Sequence, residues 1–280
     1  MSTEFVDGTA GRIAVHHLGG SGERTLVVCH ASGFLGRVYR ALAEELADIV
    51  DVVALDFRGH GDSDTPETVE EFSWLSMTND LQAVLEHLNR DELHGFGHSL
   101  GGAVLAEAER QAPGTFMSMF LFEPVITPED VHLSHSPMVR AARARMATFP
   151  SRALALQRYA SRPPLGLFRA DVLHDYVTHG FTETNDGQAT LKCLPESEAN
   201  TFANAGEIHL GLLREIELDV VVGRSGDDGL PTQLAGPIAD SLANGRLQEF
   251  ANITHFGPLQ DPVVVANALR ELVVSSSPTL

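Results

Sequence analysis

The stretch GFGHSLGGAV, residues 95–104, places Ser99 among glycines where an apolar strand pattern ends and a helix-forming run begins. Gly97-His98-Ser99-Leu100-Gly101 is G-x-S-x-G, met in the strand–turn–helix setting that this motif needs to present a nucleophile. A serine held at so tight a turn takes a strained backbone, and flanking glycines remove Cβ atoms that would collide there. The following helix aims free N–H groups and the positive end of its dipole at the reacting oxygen. An ordinary glycine-rich loop is the competing explanation, and the rest of the chain decides between them.

Short runs of valine and leucine alternate with helical patterns on both sides of this stretch, the signature of parallel strands joined by crossover helices, so the fold class is α/β. TEFV and RIAVHHL form an opening hairpin; TLVVCH, DVVALDF, LHGFGH, MFLFEP, LDVVVG and RLQEF follow as strands. Amphipathic helices fit VYRALAEELAD and SWLSMTNDLQAVLEHLN, where Trp74, Met77, Leu81, Leu85 and Leu88 recur at steps of three and four. LGGAVLAEAERQA, TQLAGPIADSLAN and PVVVANALRELVV supply further helices. From Thr127 to Glu217 no strand pattern stands out, and MVRAARARMATF, SRALALQRYA, FRADVLHDYVTHGF and PESEANTFANA read as short helices punctuated by Pro150, Pro163, Pro164 and Gly180. Residues 127–216 are therefore expected to form a helical cap inserted into a core made of 1–126 and 217–280.

The 280 residues suffice for a full core, and 43% hydrophobic with 20% charged residues indicates a globular chain. A net charge of −19 repels nucleic-acid backbones and anionic lipid, which argues against both as partners. No apolar run is long enough to span a membrane and the first residues lack a signal-peptide pattern, so the chain is expected in the cytoplasm; a homodimer is left open. Cys29 and Cys193 fit no metal spacing and are expected reduced. Lys192 is the sole lysine, which leaves little for Schiff-base chemistry. HLSHS, with His132 and His135, lacks convincing metal-ligand spacing, and DFRGHGDSD lacks the phosphate-loop pattern, so neither a metal nor a cofactor is expected. The latter segment reads as a turn in which Asp56 and Arg58 are placed to pair.

VVCHASGF (27–34), DFRGHGDSD (56–64) and NITHFGPLQDP (252–262), in this order around the serine motif, together resemble the α/β-hydrolase superfamily, in its cap-containing serine esterase or lactonase branch. The resemblance covers almost the whole chain. It implies a mostly parallel eight-stranded sheet with the cap after the sixth strand, and settles the serine motif as chemical.

Acyl transfer through Ser99 requires a base that takes the hydroxyl proton and returns it to the leaving group, which suits histidine. His255, in the loop before the last helix, matches where the family keeps it. Leu100 N–H is one expected oxyanion donor; by resemblance to His-Gly-x loops Ser32 N–H is the second, with Ala31 where glycine is usual. Three carboxylates compete for the acid. Asp227 follows LDVVVG and resembles the common site after the seventh strand, Asp228 stands beside it, and Glu123 ends MFLFEP, where an apolar strand closing on a carboxylate demands a buried partner. Phe34 is placed at the pocket floor or in the core, and His98 beside the pocket or packed under the nucleophile. His30 is expected to brace its loop and His60 to belong to a turn.

The expected activity is cofactor-free hydrolysis of a small or medium apolar ester or lactone. A serine at the elbow separates the chain from epoxide hydrolases and haloalkane dehalogenases, which use aspartate there. Perhydrolysis, carbon–carbon bond hydrolysis, lyase chemistry and a ligand-sensing role through a protein partner are alternatives on similar residues. Met138, Met146, Phe149, Tyr159, Phe168, Tyr176 and Phe181 could enclose the substrate, or form the cap's own core.

Overall fold

The structure is a computed structural model that describes residues 2–131 and 133–276, so His132 lies outside the described residues. Strands β1 (Ser2–Gly8), β2 (Gly11–Gly19), β3 (Arg24–Cys29), β4 (Val50–Leu55), β5 (Leu93–His98) and β6 (Ser118–Phe122) precede a long insertion. Within it lie three short strands, β7 (Thr148–Phe149), β8 (Phe181–Glu183) and β9 (Ala189–Leu191). Two more, β10 (Asp219–Ser225) and β11 (Asn244–Phe250), complete the main sheet, whose order is β1-β2-β4-β3-β5-β6-β10-β11. Pairings β1/β2 and β2/β4 are antiparallel. The other neighbours run parallel.

The helices are α1 (Arg40–Glu44), α2 (Trp74–Leu88), α3 (Leu100–Gln111), α4 (Pro137–Arg143), α5 (Arg152–Ala160), α6 (Ala170–His179), α7 (Pro195–Ala203), α8 (Leu230–Ser241), α9 (Gly257–Gln260) and α10 (Pro262–Ser275). Central strands read as continuous apolar runs because both sheet faces are covered. The two-residue period divides each run: Leu26 and Val28, Val52 and Ala54, Phe120 and Phe122 join one core. Val27 and Cys29, Val53 and Leu55, Met119 and Leu121 join the other. Helices α2, α3 and α8 close the second face, α1 and α10 the first.

Some local expectations fail for identifiable reasons. The helix expected over VYRALAEELAD is a 3-10 turn at Gly36–Tyr39 followed by the single turn of α1. It then unwinds through i→i−3 bonds from Leu46 N–H to Ala43 and from Ile49 N–H to Leu46. The insertion holds an antiparallel sheet, β7-β9-β8, whose strands of two or three residues are too short for periodicity to register. Arg58 does not pair with Asp56: its Nε and Nη2 grip Asp80 at 2.7 Å each, a buried pair joining the turn to α2. Asp56 instead accepts from His16 and from the Gly36 and Asp62 amides.

The insertion is tied to the body at separate points. Lys192 Nζ meets Asp62 at 2.5 Å, Arg40 Nε meets Asp175 at 2.8 Å, and Trp74 Nε1 donates to Thr201 O at 2.8 Å. Phe149, Tyr176 and Phe181 are buried in the same core that lies against the sheet, whereas Met138 and Met146 are exposed. No helix among the described residues is long and apolar enough to cross a membrane.

Candidate active site

Ser99 stands between β5 and α3 with φ +56° and ψ −113°, a left-handed conformation that costs a non-glycine residue on the order of 1–3 kcal/mol. The strain falls on the serine itself, and its glycine neighbours serve a different need. A Cβ on Gly101 would sit 2.1 Å from Cys29 O, and one on Gly97 would sit 2.5 Å from Gly102 Cα. The turn is thus pressed against β3 and its own helix, and only hydrogen fits in those gaps. Ser99 N–H donates to Phe122 O at 3.0 Å, and Val125 N–H to Ser99 O at 3.3 Å, which fixes the elbow to the end of β6.

The residue after that strand end, Glu123, also has positive φ, +43°, and is fully buried. Its Oε2 lies 2.6 Å from His255 Nδ1, and its Oε1 accepts from Ser225 N–H at 2.8 Å. Burial works to raise its pKa, but the bonds from His255 and Ser225 outweigh this and bring it down to about 2. An ionised Glu123 requires the imidazole proton on Nδ1, which leaves Nε2 as the basic nitrogen.

Asp227, the first candidate for this place, does not hold the ring. Its Oδ2 accepts from the backbone N–H of His255 at 2.7 Å, so it shapes the loop instead. The turn after β10 points Asp227 at main chain, and the ring is reached from β6. Asp228 is exposed, and its backbone carbonyl accepts from Gln233 Nε2 at 2.8 Å. No hydrogen bond joins Ser99 Oγ to His255 among the described residues. The two are neighbours through His98, whose ring centroid is 5.1 Å from that of His255.

His98 is fully buried and therefore does not line a substrate pocket. Its Nε2 bonds to His255 O at 2.8 Å, and its Nδ1 to Tyr39 OH at 2.8 Å. Tyr39 OH in turn accepts from Ala31 N–H at 3.2 Å. Burial, and then the neighbouring His255, lower the His98 pKa to about 3. A neutral ring satisfies every atom of this chain: Nε2–H donates to the His255 carbonyl, and Nδ1 accepts from the tyrosine. The loops carrying Ala31, Ser99 and His255 are thereby linked through buried polar bonds. Nothing in the sequence marks Tyr39 for this part, because it lies in an apolar helical pattern.

Ala31 needs no left-handed backbone, because the positive φ of its loop, +79°, falls on Gly33. Two buried histidines brace the loop. His30 donates from Nδ1 to Ala31 O at 2.7 Å and accepts from Phe57 N–H at 2.9 Å; His60 accepts from Gly33 N–H at 3.1 Å. Burial lowers their pKa values to about 3 and about 4, consistent with neutral rings. Leu100 N–H opens α3 and so has no intrahelical acceptor. Neither it nor Ser32 N–H meets an acceptor among the described residues, and Ser32 Oγ is buried without a partner there. Phe34 packs at 5.4 Å from Tyr176, 5.7 Å from Phe168 and 5.8 Å from Phe256.

His16, Asp56 and Asp62 form the one cluster of ligand-type side chains compact enough for a cation among the described residues. Asp56 already accepts from His16 and backbone amides, and Asp62 is paired with Lys192, so the group is satisfied without an ion.

A serine on a tight positive-φ turn after β5, an imidazole–carboxylate pair built from the loops after β11 and β6, and a mostly parallel sheet beneath them agree with a family model that matches residues 26–268. The chain belongs to the alpha/beta hydrolase family. Among curated relatives, this family member is 28% identical over 215 residues to a non-heme chloroperoxidase of Streptomyces lividans, a match covering 73% of this chain and 74% of that protein. It is 29% identical to the dihydrolipoyllysine-residue acetyltransferase component of an acetoin-cleaving system in Cupriavidus necator, over 52% of this chain and 38% of that protein. Among solved structures, E-2-(acetamidomethylene)succinate hydrolase superposes with a TM-score of 0.78 at 19% identity, covering 98% of this chain and 99% of that one. An esterase from Rhodococcus reaches 0.75 at 20% identity, covering 99% and 100%. At these identities the structural likeness speaks for the alpha/beta hydrolase fold.

Proposed function

We propose that Ser99, His255 and Glu123 act as a catalytic triad that hydrolyses a carboxylic ester or lactone through an acyl-enzyme. The observation that carries this is the 2.6 Å bond between buried Glu123 and His255 Nδ1, next to a serine held in a left-handed turn. His255 Nε2 takes the Ser99 hydroxyl proton as Oγ bonds to the substrate carbonyl carbon. The carbonyl electron pair moves onto oxygen, where the Ser32 and Leu100 amides donate to it. Collapse of this intermediate expels the alkoxide, which leaves with the proton from His255. Water, deprotonated by the same nitrogen, then releases the acid and restores Ser99. Glu123 stays ionised throughout and stabilises the imidazolium.

The insertion acts as a cap in this account, its Phe168 and Tyr176 closing on Phe34 beside the reaction centre. A second fate for the acyl-enzyme, capture by hydrogen peroxide instead of water, is favoured by the relative named as a non-heme chloroperoxidase. Turnover of p-nitrophenyl esters, with and without peroxide, tests both. The Ser99→Ala variant should lose on the order of a millionfold of the catalysed rate. Activity near wild type in that variant, or ligand-dependent capture of a partner protein without turnover, would end the proposal.

A further inference from the structure

We propose that the insertion carries a binding site for an anionic group, a carboxylate or phosphate, formed by Arg158 and Arg162 over a cavity beside an aromatic column that runs to His255. The binding stands by itself; only the assignment of what happens at the ligand's far end rests on the serine-hydrolase reading.

Charge is sharply segregated in this chain. Its net charge is −19, yet between Val131 and Ala170 there are seven arginines and no aspartate or glutamate. Four of the seven find acids from later in the sequence: Arg143 with Glu196, Arg145 with Glu198, Arg152 with Glu183, and Arg169 with Asp171. Arg140 donates to the His135 carbonyl. Arg158 and Arg162 have no carboxylate within ion-pair distance among the described residues. Arg158 lies in the last turn of α5 and Arg162 two residues beyond its end. The helix dipole favours cations at that end but does not account for the absence of any acid nearby.

Both arginines line two adjoining cavities, of about 260 and 420 Å³, which they share with Met146 and Phe149. The smaller is also bounded by Arg145 and Tyr159. From there the rings step inward: Tyr159 to Tyr176 at 5.8 Å, Tyr176 to Phe34 at 5.4 Å, Phe34 to Phe256 at 5.8 Å and Phe256 to His255 at 5.3 Å. Arg145 and the oxyanion loop share a partner on this path, since Tyr176 OH receives Arg145 Nη2 at 2.9 Å and reaches Gly33 O at 3.5 Å. A ligand with an apolar body and an anionic end fits the cavity wall, which sets the Arg158 and Arg162 guanidinium groups beside Met146, Phe149 and Tyr159. A basic patch on an acidic protein also draws anions to this face and repels them from the rest.

Calorimetric titration with adipate and with inorganic phosphate, at low ionic strength, tests the site directly. Wild type should bind, and Arg158→Ala/Arg162→Ala should bind on the order of tenfold more weakly. Arg246→Ala, which removes another exposed arginine, should bind as wild type does. In a kinetic arm, the double variant should lower the ratio of kcat/KM for mono-p-nitrophenyl adipate over p-nitrophenyl butyrate, again on the order of tenfold. A fall in this ratio identifies the anion as part of the substrate; arginine-dependent phosphate or adipate binding with an unchanged ratio identifies a free anion at the same site. No binding by wild type, or equal binding by the double variant, overturns the site whatever the ester kinetics. Arginine-dependent binding with no Ser99-dependent turnover of either ester would uphold the site and overturn the hydrolase reading alone.

Discussion

Glu123 and Asp227 both hold His255, but by different groups: Glu123 Oε2 takes the ring Nδ1 at 2.6 Å, whereas Asp227 Oδ2 takes the backbone amide at 2.7 Å. The carboxylate on the ring sets its tautomer and, in the proposed triad, faces the charge that develops there. The carboxylate on the amide sets only where the loop runs.

Glu123→Gln should therefore lower kcat by about 10⁴-fold, the scale seen when the acid of such a triad becomes an amide. Asp227→Asn keeps an acceptor for the amide and should cost about tenfold or less. The two kcat values on one p-nitrophenyl ester decide the ranking. The reverse order would hand the role back to Asp227.

Acid should destabilise the fold well before the carboxylates titrate. The pKa values of His30, His60 and His98 fall from an ordinary 6.5 to between about 3 and about 4 in the folded chain, chiefly through burial. Between these values and 6.5 the unfolded chain binds protons that the folded one does not, so stability falls as pH drops through this window. Glu123 acts lower: its contribution is present above the ordinary 4.5 and is lost as pH falls toward about 2. Urea midpoints at pH 7.5, 6 and 4.5 should decline stepwise. A flat profile from pH 7.5 to 4.5 would contradict neutral buried rings.

Tyr39→Phe removes the oxygen that joins Ala31 N–H to His98 Nδ1 and strands two buried polar atoms. The expected loss of stability is about 1–3 kcal/mol. Because the bond chain positions both His255 and the loop of Ala31 and Ser32, on which the proposed mechanism depends, kcat should fall while KM changes little. A variant as active as wild type would show that the loops hold their places without it.

Gly101→Ala should destabilise the fold far more than Gly236→Ala. A Cβ at Gly101 would meet Cys29 O at 2.1 Å, which forces backbone apart and should cost about 3 kcal/mol. Gly236, inside α8, has nothing within 4 Å of its would-be Cβ apart from its chain neighbours, but Pro237 follows it, and the crowding of a Cβ against the proline ring offsets the gain in helix propensity, so alanine there should change stability by less than about 1 kcal/mol. Thermal unfolding of the two variants checks the pair, and equal shifts would refute the close approach at the elbow.

The sequence by itself determined the main sheet, the elbow and the candidate base, because these depend on short-range regularities. Val27 and Val28 must face opposite ways on a strand, and a serine between Gly97 and Gly101 must turn, whatever lies elsewhere. Strands as short as β7 to β9 left no such trace, since two or three residues make no period. Which carboxylate reaches His255, and that His98 is tied to Tyr39 and not to a pocket, were decided only in three dimensions. Asp227 and Glu123 are both acids at strand ends and equal as letters. Their difference lies in the parallel pairing of β6 with β10, which sets Glu123 against Ser225 and under the ring while the next turn sends Asp227 to the main chain.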